Sequence, residues 1–449
     1  MTEVLWSIVA FIVAIAILIT FHEYGHFIVA RLLGVKVLRF SVGFGKALFK
    51  WQSKKGTEYR IALFPIGGYV KMVDEREGEV APEDLPYAFN RKPLLTRIAV
   101  VIAGPLFNFI FAIVAYWLIF AMGFSQLVPI VGEVEANSIA ARGGIQAGDV
   151  ITQVAGKAVH SWQDVRFAML PYMGTDAPIT MTTRDPAGET TTHNLALDGW
   201  KVDEQQPQFI ESLGLTPDLP EIPAEVQKVL PDSPAANAGM QAGDKIIRVD
   251  DTPITSWQVL TRTIDNAPEQ VKVTVLRDGK QRQLTMDVAV KHEGQWKKRY
   301  IGVQSANYTM PEKYLHDVDY NVVSAWWPAV RKTWQMSALS VHMLYKMVIG
   351  DISFRAISGP IGIAQGAGYS ASLGFSTFIN FLAIVSIGLA IVNILPIPVL
   401  DGGHLLYYVI EALLGRPLSE RAQLIGIKIG LSALILLMGL ALYNDISRL

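Results

Sequence analysis

The chain contains 449 residues, of which 51% are hydrophobic and 18% are charged, and its formal net charge is -1. This composition is typical of a membrane protein, leaves room for roughly two to four domains, and excludes nucleic acid as a partner held by bulk positive charge. The absence of cysteine excludes disulfides and thiolate metal sites, so a bound metal would need histidine, carboxylate or amide ligands.

The first apolar segment runs from about Leu5 to Arg31. A bilayer core of about 30 Å takes about 20 helical residues, so this segment is long enough to span a membrane. Its start carries no positive charge, and we find no good small-x-small cleavage site after it. We therefore predict a retained span rather than a signal peptide that is removed.

Three ionisable side chains, His22, Glu23 and His26, lie within this span, where such groups are costly and usually functional. Histidines four residues apart share one face of a helix and can bind one metal ion. Glu23 projects to the side, where a carboxylate can act as general base on water. A chance match is the alternative, but lipid cannot supply partners for these groups. We predict zinc on His22 and His26, with a third protein ligand elsewhere.

The segment from Arg31 to Arg97 contains thirteen Lys or Arg residues, whereas the segment before the first span contains none. Positive loops stay in the cytoplasm, so the N-terminus is expected outside and the two histidines toward the inner side of the bilayer.

Residues 35–40 and 59–63 of this loop are predicted as strands, and residues 43–45 and 65–69 as turns. An ordinary cytoplasmic hairpin explains the pattern. The alternative is an edge strand beside the metal that pairs with extended substrate. In that case the substrate-binding residues of the loop are Gly43, Phe44, Gly45, Gly67, Gly68 and Tyr69.

A second span is predicted from Ile98 to Phe124. Asn108, near its inner end, is interpreted either as an interhelical hydrogen-bonding residue or as a further substrate contact.

From about Leu127 the composition becomes that of a soluble protein, and an internal repeat appears. Blocks that begin at Val134 and Val229 both contain Ser-x-Ala-Ala followed by Gly-hydrophobic-x-x-Gly-Asp, and a Ser-Trp-Gln tripeptide recurs at the same offset, 229 − 134 = 95. One offset for both matches indicates duplicated domains, 127–220 and 221–310. Each copy resembles bacterial PDZ domains, which implies a groove for a peptide end or an unfolded segment. A rigid spacer or size filter is the alternative.

Residues 311–370 are predicted to be a linker with an amphipathic helix at about 321–351. Its tryptophans, tyrosine and basic residues are typical of a helix in the headgroup region, although a core-facing aromatic stripe is the alternative. Residues 358–363 are expected to form a break before the next apolar run.

A third span is predicted from Phe375 to about Leu400. Two prolines near its inner end break the helix, which is tolerated where backbone is buried in protein or lines a wet cavity. Asp401 should therefore reach the depth of the two histidines, and we predict it as third ligand rather than as a helix cap, with His404 and Glu411 as weaker candidates. Asn393 is positioned to donate to a substrate carbonyl or oxyanion.

The predicted fold is thus a polytopic α-helical membrane protein with four transmembrane helices, a membrane-associated β-hairpin loop at about 35–72 and two inserted α/β PDZ-like domains. Its membrane domains are residues 1–126 and 371–449, the latter with a fourth span at about 424–443. This topology places the repeats and both termini outside, in the periplasm of a two-membrane bacterium.

The order and spacing of these motifs resemble the site-2 protease family of intramembrane metalloproteases over essentially the whole chain. The motifs are His22-Glu23-x-x-His26, Gly43-Phe44-Gly45, Gly104-Pro105-x-x-Asn108, the tandem repeats and Leu400-Asp401-Gly402. The resemblance implies zinc, a bacterial inner-membrane location and cleavage of single-span membrane proteins. It implies as substrates an anti-sigma factor already trimmed outside, in an envelope stress response, and remnant signal peptides.

Two other classes of function remain open at this point. A metal transporter would place His and Asp within spans, but would have no evident use for Glu23 or for the repeats. A catalytically silent scaffold would bind partners through the PDZ-like domains alone.

Overall fold

The computed structural model describes residues 2–54, 56–200, 209–293, 296–305, 310–354 and 357–447. The described chain forms two compact units. The membrane unit consists of residues 2–124 and 317–447, and the repeat unit consists of the described residues between 125 and 316.

The membrane unit is built mainly of long helices, whereas the helices of the repeat unit are short. In chain order they are α1 Thr2–Leu32, α2 Leu94–Met122, α3 Ile139–Arg142, α4 Trp162–Met169, α5 Pro234–Asn237, α6 Trp257–Asp265, α7 Trp326–Ile349, α8 Pro360–Ser372, α9 Phe375–Ile394, α10 Asp401–Leu414 and α11 Glu420–Ser447.

Four helices among the described residues are long and apolar enough to cross a membrane: α1, α2, α9 and α11. The sequence predicted a span at each of these places. The third span, α9, ends at Ile394 rather than near Leu400, because Pro396 and Pro398 lack the N–H groups that would continue the helix.

The loop after α1 forms a long antiparallel hairpin, β1 (Val37–Gln52) and β2 (Glu58–Met72). The prediction of turns at residues 43–45 and 65–69 is wrong, because both segments lie inside the strands at irregularities of register. Glycines at positive φ let the strands bulge there without ending. The apolar base of the hairpin packs against α1 and α2 in one cluster that includes Phe27, Phe40 and Val100.

Helix α7 carries the expected aromatic residues, and Trp327, Trp334 and Tyr345 are all more than half exposed. This exposure contradicts the alternative of a core-facing stripe. The prediction of a break at residues 358–363 is wrong from Pro360 onward, because residues 360–372 form α8. This helix begins with Pro360 at a position where no N–H is needed. The Asp445 carboxylate of α11 accepts hydrogen bonds from three backbone N–H groups at the start of α8.

The remaining strands lie in the repeat unit, except that β3 and β18 each extend into the membrane unit at one end. They are β3 Phe124–Leu127, β4 Val131–Val134, β5 Val150–Val154, β6 Lys157–Ala158, β7 Ile179–Arg184, β8 Thr190–Leu195, β9 Leu215–Pro217, β10 Val226–Val229, β11 Lys245–Val249, β12 Thr252–Pro253, β13 Gln270–Arg277, β14 Lys280–Asp287, β15 Ala289–Glu293, β16 Trp296–Tyr300, β17 Val303–Ser305 and β18 Leu315–Val318.

The internal repeat of the sequence corresponds to two sheets of identical topology. The first has the order β6-β5-β7-β8 and the second the order β12-β11-β13-β14. A further two-stranded sheet accompanies each, β4 with β9 and β10 with β17. Each copy has its own apolar core, so each is built to fold around its own interior.

Candidate metal centre

Helix α1 presents His22 and His26 on one face, as their spacing requires. Their Nε2 atoms lie 3.3 Å apart. The other ring nitrogen of each histidine contacts α2: Nδ1 of His26 donates to the Val100 carbonyl at 2.8 Å, and Nδ1 of His22 lies 3.1 Å from the Asn108 side chain. Helix α2 therefore contacts both imidazole rings at their Nδ1 atoms.

Gly104 lets α2 lie directly against these rings. A Cβ atom at this position would lie 2.3 Å from His26 Nε2 and 2.8 Å from His22 Cε1. Gly25 allows the same close approach from α1, because its Cβ would lie 2.4 Å from the Ala103 carbonyl oxygen. Two glycines at the helix crossing thus make room for the imidazoles.

Asp401 is the first residue of α10 and reaches the two histidines from the opposite end of the chain. Gly402 permits this placement, since its Cβ would lie 2.1 Å from the Leu395 carbonyl oxygen. Farther along α10, Glu411 accepts two hydrogen bonds from the Arg97 guanidinium, at 3.1 and 2.5 Å. This paired contact fixes α10 to the start of α2.

The three side chains converge on a single point. Asp401 Oδ2 lies 3.2 Å from His22 Nε2 and 3.4 Å from His26 Nε2. It is buried and has no hydrogen-bond partner of acceptable geometry among the described residues. Ligand atoms arranged tetrahedrally around zinc at about 2.0–2.1 Å lie roughly 3.3 Å from one another. The spacing, the orphaned oxygen and the His-His-carboxylate donor set all fit zinc, and among the described residues this is the one such group of three or more ligands.

Glu23 lies beside this group without joining it. The Val70 N–H of β2 faces its carboxylate. Gly68 allows β2 to come this close, because a Cβ there would lie 3.0 Å from Glu23 Cγ. The carboxylate is thus held between the helix that carries the histidines and a strand of the hairpin.

The residues predicted for substrate binding are distributed over four elements, β1, β2, α2 and α9. Phe44 and Tyr69 stack with ring centroids 6.1 Å apart, next to Gly67, whose Cβ would contact the Phe44 ring. Gly43 and Gly45 both have a φ of 90° in β1.

Asn108 is fully buried in α2. Asn393 is half-buried in the last turn of α9, and no hydrogen bond connects its side chain to the metal ligands within the described chain. His404, the competing ligand, is exposed one turn after Asp401 and is not part of the cluster.

Sequence reasoning missed the residues that support the ligands. Gly25 is the second of the two unassigned x positions within the motif, and Gly104 was noted only as part of a Gly-Pro pair. Small residues such as glycine are typical of the places where two membrane helices cross closely, and this tendency would have indicated Gly25 and Gly104. Nothing in the sequence indicates that Arg97 and Glu411 are partners.

A carboxylate next to a buried His-His-Asp group, inside a helical membrane unit, defines the site of a metal-dependent hydrolase. A family model described as Peptidase family M50 matches residues 10–437. The chain belongs to this peptidase family, and the resemblance to site-2 proteases is confirmed.

Individual relatives agree over the full length. A protein of Salmonella typhi named "Regulator of sigma E protease" is 44% identical over 452 residues, with 100% of each chain covered. A protein of Vibrio cholerae whose name describes a zinc metalloprotease is 39% identical, also with 100% of each chain covered. Among solved structures, a PDZ domain of an SdrC-like protein from Listeria monocytogenes matches 20% of this chain and 92% of its own, at 24% identity and a TM-score of 0.17.

Proposed function

We propose that this peptidase is a zinc enzyme of the bacterial inner membrane that cleaves the membrane-spanning segments of single-span proteins. The observation that carries the proposal is the convergence of His22 and His26 of α1 with Asp401 of α10, which are more than 370 residues apart in the sequence (401 − 26 = 375). Neither helix could complete this ligand set alone.

His22, His26 and Asp401 hold the metal, and Glu23 acts on the reactants. Zinc, when bound, supplies Lewis-acid chemistry that polarises a peptide carbonyl and makes water a better nucleophile near neutral pH. The Glu23 carboxylate takes a proton from the attacking water and returns it to the leaving amine. The Val70 N–H keeps this carboxylate directed toward the reaction. No covalent acyl-enzyme is formed in this scheme.

The hairpin offers a place for an unwound substrate. Residues 37–42 of β1 pair on one side with residues 58–61 and on the other with residues 68–72. The segment 68–72 therefore has one strand partner among the described residues, and its Val70 N–H points toward Glu23. An extended peptide added along this edge would pass the catalytic carboxylate, in the general mode of strand addition. Gly43, Phe44, Gly45, Gly67, Gly68 and Tyr69 then shape this edge.

As substrates we propose an anti-sigma factor in an envelope stress response and remnant signal peptides, because the family resemblance implies both. A relative is named "Regulator of sigma E protease", which fits a role in sigma-factor regulation. The basic loop supports an active site toward the cytoplasm, with the termini and the repeats in the periplasm. Residues 127–220 and 221–310 act as PDZ-like domains that either bind an unfolded segment or limit substrate size, a proposal supported by their matching sheets.

The test is cleavage of a tagged single-span protein by the purified full-length enzyme in lipid nanodiscs. Wild type should cleave, a chelator should abolish cleavage, and added zinc should restore it. The variant Glu23→Gln should lose about 10²- to 10⁴-fold of the rate while it retains stoichiometric zinc. Glu79→Gln, an exposed acid of the same unit, is the matched control and should cleave normally.

Equal cleavage with and without chelator would refute the zinc enzyme. A transporter predicts that Glu23→Gln changes metal flux and little else, and a scaffold predicts that His22→Ala leaves every cellular phenotype intact.

A further inference from the structure

Asn108 lies behind the metal ligands, away from any surface. Its side chain is 0% exposed and lies 3.1 Å from Nδ1 of His22. The equally buried Ser386 of α9 donates a hydrogen bond of 2.9 Å to the Asn108 backbone carbonyl. The amide is thus fixed between three helices, which fits the interpretation of Asn108 as an interhelical hydrogen-bonding residue.

His26 shows what such a contact does to a ligand. The Val100 carbonyl can only accept a hydrogen bond, so Nδ1 of His26 must carry the ring proton. The lone pair of the neutral ring is then on Nε2, the atom that faces Asp401. One backbone carbonyl therefore selects the tautomer that can bind a metal.

For His22 the same selection depends on which end of the Asn108 amide faces the ring. With Nδ2 toward the ring, His22 Nδ1 would be the acceptor and the ring proton would lie on Nε2, the atom that faces Asp401. In that orientation Asn108 Oδ1 is buried without a partner among the described residues. The two ends of a carboxamide exchange places by a half-turn about χ2, and the hydrogen-bond network decides between them. The half-turn gives Oδ1 the His22 Nδ1–H as donor and moves Nδ2 to the place that Oδ1 leaves.

We propose that Asn108 is a positioning residue whose side-chain oxygen accepts the Nδ1 proton of His22 and so presents Nε2 of His22 to the metal. This inference rests on the proposed zinc site. It assigns to α2 one task for both histidines, performed by a backbone carbonyl at Val100 and by a side-chain carbonyl at Asn108. Such supporting hydrogen bonds orient a ligand and increase its basicity.

The test replaces Asn108 either by aspartate, which keeps an acceptor, or by leucine, an apolar side chain of similar size. Zinc affinity of the full-length protein is measured by competition with a chromophoric chelator, independently of cleavage. Asn108→Asp keeps an oxygen acceptor but has no N–H, and should bind zinc at least as tightly as wild type. Asn108→Leu has neither and should lose about 10- to 100-fold in zinc affinity. Ser386→Ala, which loosens the Asn108 backbone but leaves the amide in place, should keep most of the affinity.

Each result has one meaning. If Asn108→Asp loses as much zinc affinity as Asn108→Leu, or if Asn108→Leu loses none, the proposal is overturned. If Ser386→Ala matches Asn108→Leu, loosened packing explains the loss and the proposal also fails. A Leu variant that elutes as aggregate leaves the decision to Asn108→Asp, whose retained affinity is required. His22→Ala is the separate arm: wild-type zinc affinity there would refute the proposed metal site itself.

Discussion

The repeat unit and the membrane unit bury polar side chains in different ways. In the repeat unit several buried groups bond to nearby backbone. Ser161 and Ser256 cap α4 and α6 by accepting a backbone N–H three residues on, and Asp149 and Asp244 accept the N–H of Gln146 and Gln241 in equivalent turns. These are local solutions that stabilise turns and helix starts.

Around the metal centre of the membrane unit the buried groups bond across helices instead. His22 contacts Asn108, Ser386 contacts the Asn108 backbone, and both histidines approach Asp401, one of whose oxygens has no hydrogen-bond partner. Helical backbone has few free groups to offer at membrane depth, so this costly arrangement serves chemistry rather than folding. The comparison teaches that buried polar groups indicate function where they lack local backbone partners.

The largest effect on cleavage is expected at Gly104, where α2 packs against the metal ligands. Gly104→Ala places a Cβ 2.3 Å from His26 Nε2, so the imidazole or α2 must move. A displacement of about 1 Å can cost about 100-fold in rate, and we expect at least that loss together with weaker zinc binding. Cleavage and zinc content of the purified variant measure both.

Gly388→Ala in α9 is the control, because a Cβ there meets nothing within 4 Å. Alanine at such a helix position should be tolerated or slightly stabilising. Equal activity of the two variants would contradict the importance of the close crossing.

Much of this site could be predicted because its determinants are local. The spacing of His22 and His26 fixes a shared helix face, and apolar runs reveal spans of the required length. Asp401 could be placed at their depth by counting spans. The supporting contacts could not, since the partnership of Asn108 with His22 depends on how α2 rotates against α1.

The errors have a common physical origin in glycine and proline. Pro396 and Pro398 were placed at the inner end of a span predicted to reach about Leu400, yet α9 ends before both prolines, at Ile394. Gly43 and Gly45 suggested a turn, yet they let β1 bulge and continue. Sequence patterns cannot distinguish a glycine that ends an element from one that allows close contact.

A second prediction concerns the two equivalent aspartates of the repeat unit. Asp244 is fully buried and paired with Arg277 through two contacts of 2.6 Å, whereas Asp149 accepts a single 3.2 Å bond from Thr183. Arg277→Leu leaves the Asp244 carboxylate without its charged partner and should destabilise the second repeat by more than the loss of one neutral hydrogen bond. Thr183→Val should cost the first repeat about 0.5–1.5 kcal/mol.

Amide hydrogen exchange in the full-length protein measures each repeat separately, through β11 and β13 in one and β5 and β7 in the other. Similar losses in both variants would show that the two turns are held equally, against the expectation.

The same pair predicts a dependence on acid. Burial of Asp244 opposes its ionisation, but the hydrogen bonds and charge of Arg277 outweigh burial and hold the pKa of this carboxyl below its ordinary value. The pair therefore stabilises fully above the unfolded pKa of about 3.9, and the contribution is lost as pH falls through the lower folded value. Protection of β11 and β13 should be constant between about pH 5 and 7 and decrease below about pH 4. In Arg277→Leu this acid-induced decrease should be absent, and its persistence there would assign it to other groups.

The smallest effect is expected at the helix caps, where the two repeats are alike. Ser161 and Ser256 occupy corresponding positions and each accepts one backbone N–H, at 3.1 and 3.3 Å. Ser161→Ala and Ser256→Ala should each cost about 1 kcal/mol, confined to the altered repeat, as hydrogen exchange of α4 and α6 would report. Neither change touches the His-His-Asp group, so zinc content should equal that of wild type. A fall in zinc content would mean that a helix cap in the repeat unit affects the metal centre. Stability of the repeats and metal binding would then not be independent.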